Sequence, residues 1–175
     1  MTSNSKSFSL SDVLYESFYT AGIGGSFVAL SFLLIDGLYG RPFFTPSLLG
    51  QVLFFHTPAA SVSSASLKAV AYYTPVHFLA FFLVGLVGTV LVRTMEAHRQ
   101  RPFWVMLVLF GIMEGGYLLV TRYLLPGVGS VLDAPRVAGV NFFAAICMVA
   151  FLHYTQRLES DMHAGSAQPL SSQAG

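Results

Sequence analysis

The chain has 175 residues, of which 54% are hydrophobic and only 10% are charged, and its formal net charge is +1 at pH 7. Soluble domains have about 25% charged residues, so this composition excludes an ordinary soluble domain and favours a chain that spans a bilayer. The balanced charge argues against a nucleic-acid partner, and the single cysteine excludes an intramolecular disulfide.

The N-terminal region predicts a polar tail over residues 1–11, followed by a helix that enters the first transmembrane span at about residues 18–38. Gly25 and Ala29 lie four positions apart within this span and therefore share one helical face. Small residues at this spacing let two helices approach closely in a membrane. We therefore predict that Gly25 and Ala29 form a helix-packing face.

A long loop follows the first span and contains the short apolar run 47–55. A helix needs about 20 apolar residues to cross a bilayer, so this run is too short to span. It predicts a short helix that lies on the membrane surface or dips into the membrane and returns. Thr45 is the expected N-cap of this helix, and Pro46 is the expected first helical residue.

The second span is predicted at about residues 70–92. Pro75 permits two interpretations: it begins a helix that Thr74 caps, or it lies inside a longer helix and kinks it. Both interpretations place His77 in the outer part of the span.

The loop over residues 93–101 carries three arginines. Lys and Arg in short loops mark the cytoplasmic side of a membrane. The loop therefore predicts that both termini are cytoplasmic. The four-span layout is similar to that of many small bacterial membrane proteins, which implies a bacterial inner membrane. This arrangement puts five of the nine Lys and Arg residues inside and four outside.

The third span is predicted at about residues 103–125, a run long enough to cross a hydrocarbon core of about 30 Å at about 1.5 Å per residue. Glu114 falls near its middle. Gly111 and Gly115 lie four apart beside it and predict a second packing face.

The fourth span is predicted at about residues 137–154, with Asn141 in its outer half, and residues 157–175 predict a disordered tail. Residues 12–156 then form one domain. The predicted fold is an all-α bundle of four transmembrane helices, with a short interfacial or re-entrant helix in the first outer loop.

Glu114 is the leading candidate for a functional site. A carboxylate at the bilayer centre costs roughly 2.5–3.5 kcal/mol, so we expect polar partners for it inside the bundle. His77 and Asn141 lie at similar depths, and Tyr117 lies three positions further along the same helix. Two interpretations stay open. The cluster is a site that titrates protons or binds a polar ligand, or Glu114 is neutral and its hydrogen bonds only hold helices together.

Cofactor and catalytic motifs are not found in the sequence. A haem between helices needs two ligands at one depth, but His77 and His153 fall near opposite ends of their spans. No nucleophile elbow, phosphate-binding loop or zinc-binding helix motif is present. We therefore predict no metal and no cofactor, and an enzyme is disfavoured.

The sequence leaves two functional hypotheses. The first is a non-catalytic accessory or structural subunit of a larger membrane assembly. The alternative is a small oligomeric transporter or channel in which Glu114 and His77 titrate, because four helices alone rarely enclose an aqueous path. The expected partners are the lipid bilayer and either other membrane subunits or further copies of the chain.

Overall fold

The structure, a computed structural model, describes the backbone of residues 9–95 and 101–166 and the side chains of these ranges up to residue 158. These residues form helices and connecting turns and contain no β-strand. The helices are α1 (Leu10–Leu38), α2 (Phe44–Phe55), α3 (Leu67–Thr94), α4 (Arg101–Leu119) and α5 (Ala134–Ser166), with a π-helical turn (Val120–Leu124) after α4 and 3-10 turns at Ala59–Ser61 and Val128–Ser130.

Four of these segments are long and apolar enough to cross a membrane, namely α1, α3, α4 with its π-helical turn, and the part of α5 up to Leu158. The prediction of an all-helical chain with four long apolar helices is therefore confirmed. The short apolar run also forms a helix, α2, which begins three residues before the predicted boundary.

Two helices differ from their predicted boundaries. α3 is continuous across Pro75, and Ser66 caps it by accepting a hydrogen bond from the Ala69 N–H, so the interpretation in which Thr74 caps a new helix is wrong. α5 continues to Ser166, so residues 157–166 are helical instead of disordered. This stretch contains no proline and has glycine only at position 165, so nothing in it stops a helix.

The long helices pack antiparallel, as their cross-links show. His77 of α3 contacts Gly25 of α1, whereas Arg93, near the end of α3, contacts Glu16, near the start of α1. α4 and α5 are also antiparallel, because Arg101 at the start of α4 bonds to Gln156 of α5, whereas Glu114, further along α4, bonds to the earlier residue Asn141. One end of the bundle, the termini end, therefore holds the start of α1 and α4 and the last turns of α3. The other end, the α2 end, holds α2 and the start of α3 and α5.

Close contacts between helices rely on glycine at two positions. A Cβ at Gly85 of α3 would lie 2.7 Å from the backbone oxygen of Ser17 in α1. A Cβ at Gly50 of α2 would overlap the backbone carbonyl of Ala69 in α3. Because real Cβ atoms do not approach backbone atoms so closely, these glycines set the separation of α1 from α3 and of α2 from α3.

The outer surface of the bundle has tyrosine and tryptophan at its two ends and aliphatic side chains between them. Exposed Tyr and Trp at the termini end are Tyr15, Tyr19, Trp104 and Tyr154, and those at the α2 end are Tyr39, Tyr72 and Tyr123. Between these levels the exposed side chains include Leu30, Leu79, Leu83, Leu107, Val108 and Ile146.

Candidate functional site

Glu114 lies in the middle of the candidate span formed by α4, where it bonds to α5. The side-chain amide of Asn141 donates a hydrogen bond from Nδ2 to Glu114 Oε1 at 2.7 Å. Asn141 is buried and Glu114 is half-buried. The Glu114–Asn141 pair therefore joins α4 to α5 and leaves the carboxyl group partly accessible from outside the bundle.

His77 does not join this pair. Its Nε2 lies 2.9 Å from the carbonyl oxygen of Gly25 and donates to it, which links α3 to α1. The imidazole also contacts the rings of Tyr73, Phe78 and Phe81. The residues predicted as one polar cluster therefore separate into two, one on α4 and α5 and one between α1 and α3.

Tyr117 lies next to Glu114 along α4 but hydrogen-bonds elsewhere. Its hydroxyl donates to the backbone oxygen of Leu132 at 3.4 Å, in the segment that precedes α5. Its own carbonyl accepts from the hydroxyl of Thr121. Tyr117 thus ties the end of α4 to the following loop.

The two predicted packing faces differ in what covers them. Gly25 is buried, and a Cβ there would meet the ring of Phe78 at 3.0 Å, whereas Ala29 is exposed. Gly111 and Gly115 are exposed, and a Cβ at either would meet no atom within 4 Å among the described residues. The face of α4 around Glu114 is therefore open in the single chain.

A second polar cluster, centred on Glu16, was not predicted from the sequence. Arg93 of α3 donates from Nε to Glu16 Oε2 at 2.7 Å, and the hydroxyl of Thr155 in α5 donates to Glu16 Oε1 at 2.8 Å. The side chains of Glu16 and Arg93 are each only 7% exposed. This buried ion pair therefore joins three helices at the termini end.

The fourth long helix is tied to the same end by Arg101, at the start of α4. Its guanidinium donates to the side-chain oxygen of Gln156 in α5 at 2.6 Å and to the backbone oxygen of Val92 in α3 at 3.3 Å. Together with the Glu16 cluster, these bonds link all four long helices at one level.

A sequence signal for the Glu16 cluster does exist. Glu16, Ser17 and Thr20 place three polar residues within five positions near the start of α1, and all three are buried. The hydroxyls of Ser17 and Thr20 bond to carbonyls of their own helix, so Glu16 alone needs a partner from outside α1. A buried acid near a helix end predicts a basic residue at the same level in another span, which Arg93 supplies.

Asp36, at the end of α1, holds the start of α2. Its carboxylate accepts from the backbone N–H of Thr45 at 2.6 Å and from the Thr45 hydroxyl at 2.8 Å. The prediction that Thr45 caps α2 is therefore wrong, since Thr45 lies inside the first turn and Asp36 of another helix supplies the acceptor. A carboxylate at this position also suits the positive end of the helix dipole.

Replacing Asp36 by alanine should destabilise the protein by about 1–3 kcal/mol, because the buried N–H and hydroxyl of Thr45 lose their acceptor. The asparagine variant should lose less, since its amide oxygen can still accept one of the two bonds. Unfolding of both variants in detergent would measure the difference. Equal stability of Asp36→Ala and the wild type would contradict the proposed anchoring of α2.

Comparison with protein-family models, with curated proteins and with solved structures finds no match. The chemistry of the bundle therefore has to be inferred from its own groups.

No group of three or more His, Cys, Asp and Glu able to hold a metal ion occurs among the described residues. A small hollow of about 10 Å³ beside Arg101 and His153 has room for one water at most. A larger one, of about 410 Å³, is an open groove along the outer surface of α1.

Proposed function

We propose that this is an integral multi-pass membrane protein that serves as a non-catalytic subunit of a larger membrane assembly and packs against its neighbour through α4. The exposed tyrosines and tryptophan at the two ends, with aliphatic side chains between them, support the membrane location. Tyr and Trp are enriched at the two membrane–water interfaces, and the level between them is hydrocarbon.

The orientation in this proposal has both termini in the cytoplasm of a bacterial cell, with α2 on the far side of the inner membrane. Its support is three arginines within nine positions of the sequence: Arg93 in the last turn of α3, Arg101 at the start of α4, and Arg99 between them.

The observation that carries the subunit proposal is the open α4 face around Glu114. In the 18-residue apolar stretch of the α4 span, only 17% is buried inside the chain. The corresponding stretch of α5 is 39% buried. Glu114 is half-buried, and its one hydrogen bond among the described residues, to Asn141, uses a single carboxyl oxygen. The other oxygen has no donor from within the described chain.

Lipid is a poor neighbour for such a face. A carboxyl group that meets hydrocarbon at mid-membrane costs several kcal/mol unless a polar group covers it. A neighbouring helix that brings a hydrogen-bond donor would remove this cost. Gly111 and Gly115 would let its backbone approach α4 closely, which strengthens packing and hydrogen bonding in a membrane.

The alternative, an oligomeric transporter or channel, uses the same face. The interior of the single chain is filled by apolar side chains such as Phe81, Leu109 and Met148, so an aqueous path would have to run between copies. Glu114 would then line that path. His77 lies between α1 and α3 and bonds to a backbone oxygen, so His77 does not line the path in this version.

The test is to extract the protein from its native membrane in a mild detergent and to identify what is bound to it. A stoichiometric foreign subunit supports the proposal, and a homogeneous self-oligomer supports the alternative. The Gly111→Leu/Gly115→Leu variant should fold, because both positions face open space. The amount of partner that co-purifies with it should be at least about tenfold lower than with the wild type. Leucine at Gly22 and Gly139, which are open positions on α1 and α5, is the matched control.

Glu114 variants separate the two roles of the carboxyl group. Under the subunit proposal Glu114→Gln keeps partner binding, because an amide still bonds to Asn141 and to a donor, whereas Glu114→Leu loses it. Under the alternative Glu114→Gln keeps the oligomer but abolishes pH-dependent proton flux into vesicles. Normal assembly and normal flux in both variants would remove Glu114 from either account.

A further inference from the structure

Four exposed cations surround the α2 end of the bundle, and we call them the basic rim: Arg41, Lys68, Arg122 and Arg136. Two carboxylates lie at this end. Asp36 is buried and bonds to Thr45, whereas Asp133 is exposed and lies 3.8 Å from Arg136. The rim therefore has four exposed positive charges and one exposed negative charge.

Aromatic rings support three of these cations. The Arg41 guanidinium carbon lies 4.2 Å from the centroid of the Phe44 ring, and the Lys68 ammonium lies 5.4 Å from that of Phe55. Arg136 lies 5.2 Å from the centroid of the Tyr39 ring. A cation over a ring face is attracted by the ring but keeps its N–H groups free to donate.

The N–H groups of the rim have few partners in the chain. Among the described residues, the side chains of Arg41, Lys68 and Arg122 make no hydrogen bond, and Arg136 makes one long bond of 3.3 Å to the Tyr39 hydroxyl. Within the described residues, three exposed cations therefore use none of their donors, and the fourth uses one.

Helix stability does not account for two of these charges. Lys68 is the second residue of α3, and Arg136 is the third residue of α5. A cation in the first turn is repelled by the positive end of the helix dipole. An external anion at this end would offset that repulsion.

Given the membrane location proposed above, on which this inference rests, the anion that meets the rim is a lipid phosphate. Tyr39, Tyr72 and Tyr123 are exposed at the same end, and exposed tyrosines lie at the depth of the lipid headgroups. Basic residues at this depth attract anionic lipids. We propose that the basic rim binds the headgroups of anionic phospholipids, so that the protein carries a shell of such lipids around its α2 end.

The experiment compares two lipids around the full-length protein in phosphatidylcholine vesicles. Spin-labelled phosphatidylglycerol, which is anionic, is measured in parallel with spin-labelled phosphatidylcholine. The wild type should associate with phosphatidylglycerol at least about fivefold more strongly than with phosphatidylcholine. This is the factor expected from a single Lys or Arg near an anionic lipid. The preference should fall when salt is raised to about 0.5 M.

Two variants test whether the rim is responsible. Arg41→Gln/Lys68→Gln/Arg122→Gln/Arg136→Gln removes all four charges and should bring the ratio of the two association constants close to one. Arg41→Lys/Lys68→Arg/Arg122→Lys/Arg136→Lys keeps every charge and should keep the preference. An equal loss in both variants, or a wild-type ratio near one, would overturn the inference and leave the rim as cations that only extend toward water.

The same vesicles separate this inference from the membrane proposal. Protein that an alkaline wash removes from the vesicles is not inserted, and that result contradicts the membrane location. Protein that resists the wash but shows no preference between the two lipids contradicts the basic-rim inference alone.

Discussion

Replacing Arg93 by leucine should lower the free energy of unfolding by about 3–5 kcal/mol, because it leaves the Glu16 carboxylate in a buried site without its cation. The Thr155 hydroxyl would remain as a donor to Glu16, but a neutral hydrogen bond does not replace the charge. The change should be measured by reversible unfolding of the purified protein in mixed detergent micelles.

The Glu16–Arg93 pair can be isolated by a double-mutant cycle. Glu16→Leu/Arg93→Leu should be less destabilised than the sum of the two single variants, because removing both charges leaves neither one buried alone. Arg157→Leu, which removes an exposed arginine at the same end of the bundle, should change stability by no more than about 0.5 kcal/mol. A loss in Arg93→Leu no larger than that of Arg157→Leu would show that the ion pair does not hold the helices together.

Replacing Gly50 by alanine should destabilise the protein by about 2–3 kcal/mol and displace α2 from α3. The added Cβ would overlap the backbone carbonyl of Ala69, and a backbone atom cannot move aside as a flexible side chain can. The loss should occur although alanine favours a helix over glycine by about 1 kcal/mol. Unfolding in detergent measures the stability, and limited proteolysis of residues 59–66 reports whether α2 is displaced.

The control for this prediction is the same substitution on an open face. Gly111→Ala adds a Cβ that meets no atom within 4 Å among the described residues, so it should leave stability unchanged or raise it by up to about 1 kcal/mol through helix propensity. If Gly50→Ala and Gly111→Ala behave alike, α2 does not pack against Ala69 as closely as the structure indicates.

The four long apolar helices were predictable from the sequence because a long run of apolar residues has few alternatives to a long helix. The start of α2 was less predictable. Its capping acceptor, Asp36, belongs to the preceding helix, and the residues that bound α2, Phe43 and His56, both adopt positive φ angles that a non-glycine residue rarely adopts. No glycine or asparagine at either position signals such a conformation, so the sequence gives no local sign of these two boundaries.

The candidate site was only partly predictable for a different reason. Depth along a helix follows from residue number, which predicted compatible levels for Glu114 and Asn141, and the structure places a hydrogen bond between them. The rotation of a helix about its axis does not follow from residue number. Spans that are apolar on every side have little periodicity from which to read that rotation. His77 therefore faces α1 and bonds to Gly25, although its depth was compatible with Glu114.

The amino-acid sequence by itself determined that this chain is helical, where its four long apolar helices lie, and which polar residues fall within them. The tertiary structure alone decided which of those residues meet. Buried polar groups need partners, and the packing of α1, α3 and α5 brings Arg93 and Thr155 to Glu16 across long separations in the chain. The same packing leaves Gly111 and Gly115 uncovered, because an interface is defined by the helix opposite it and not by the small residues alone.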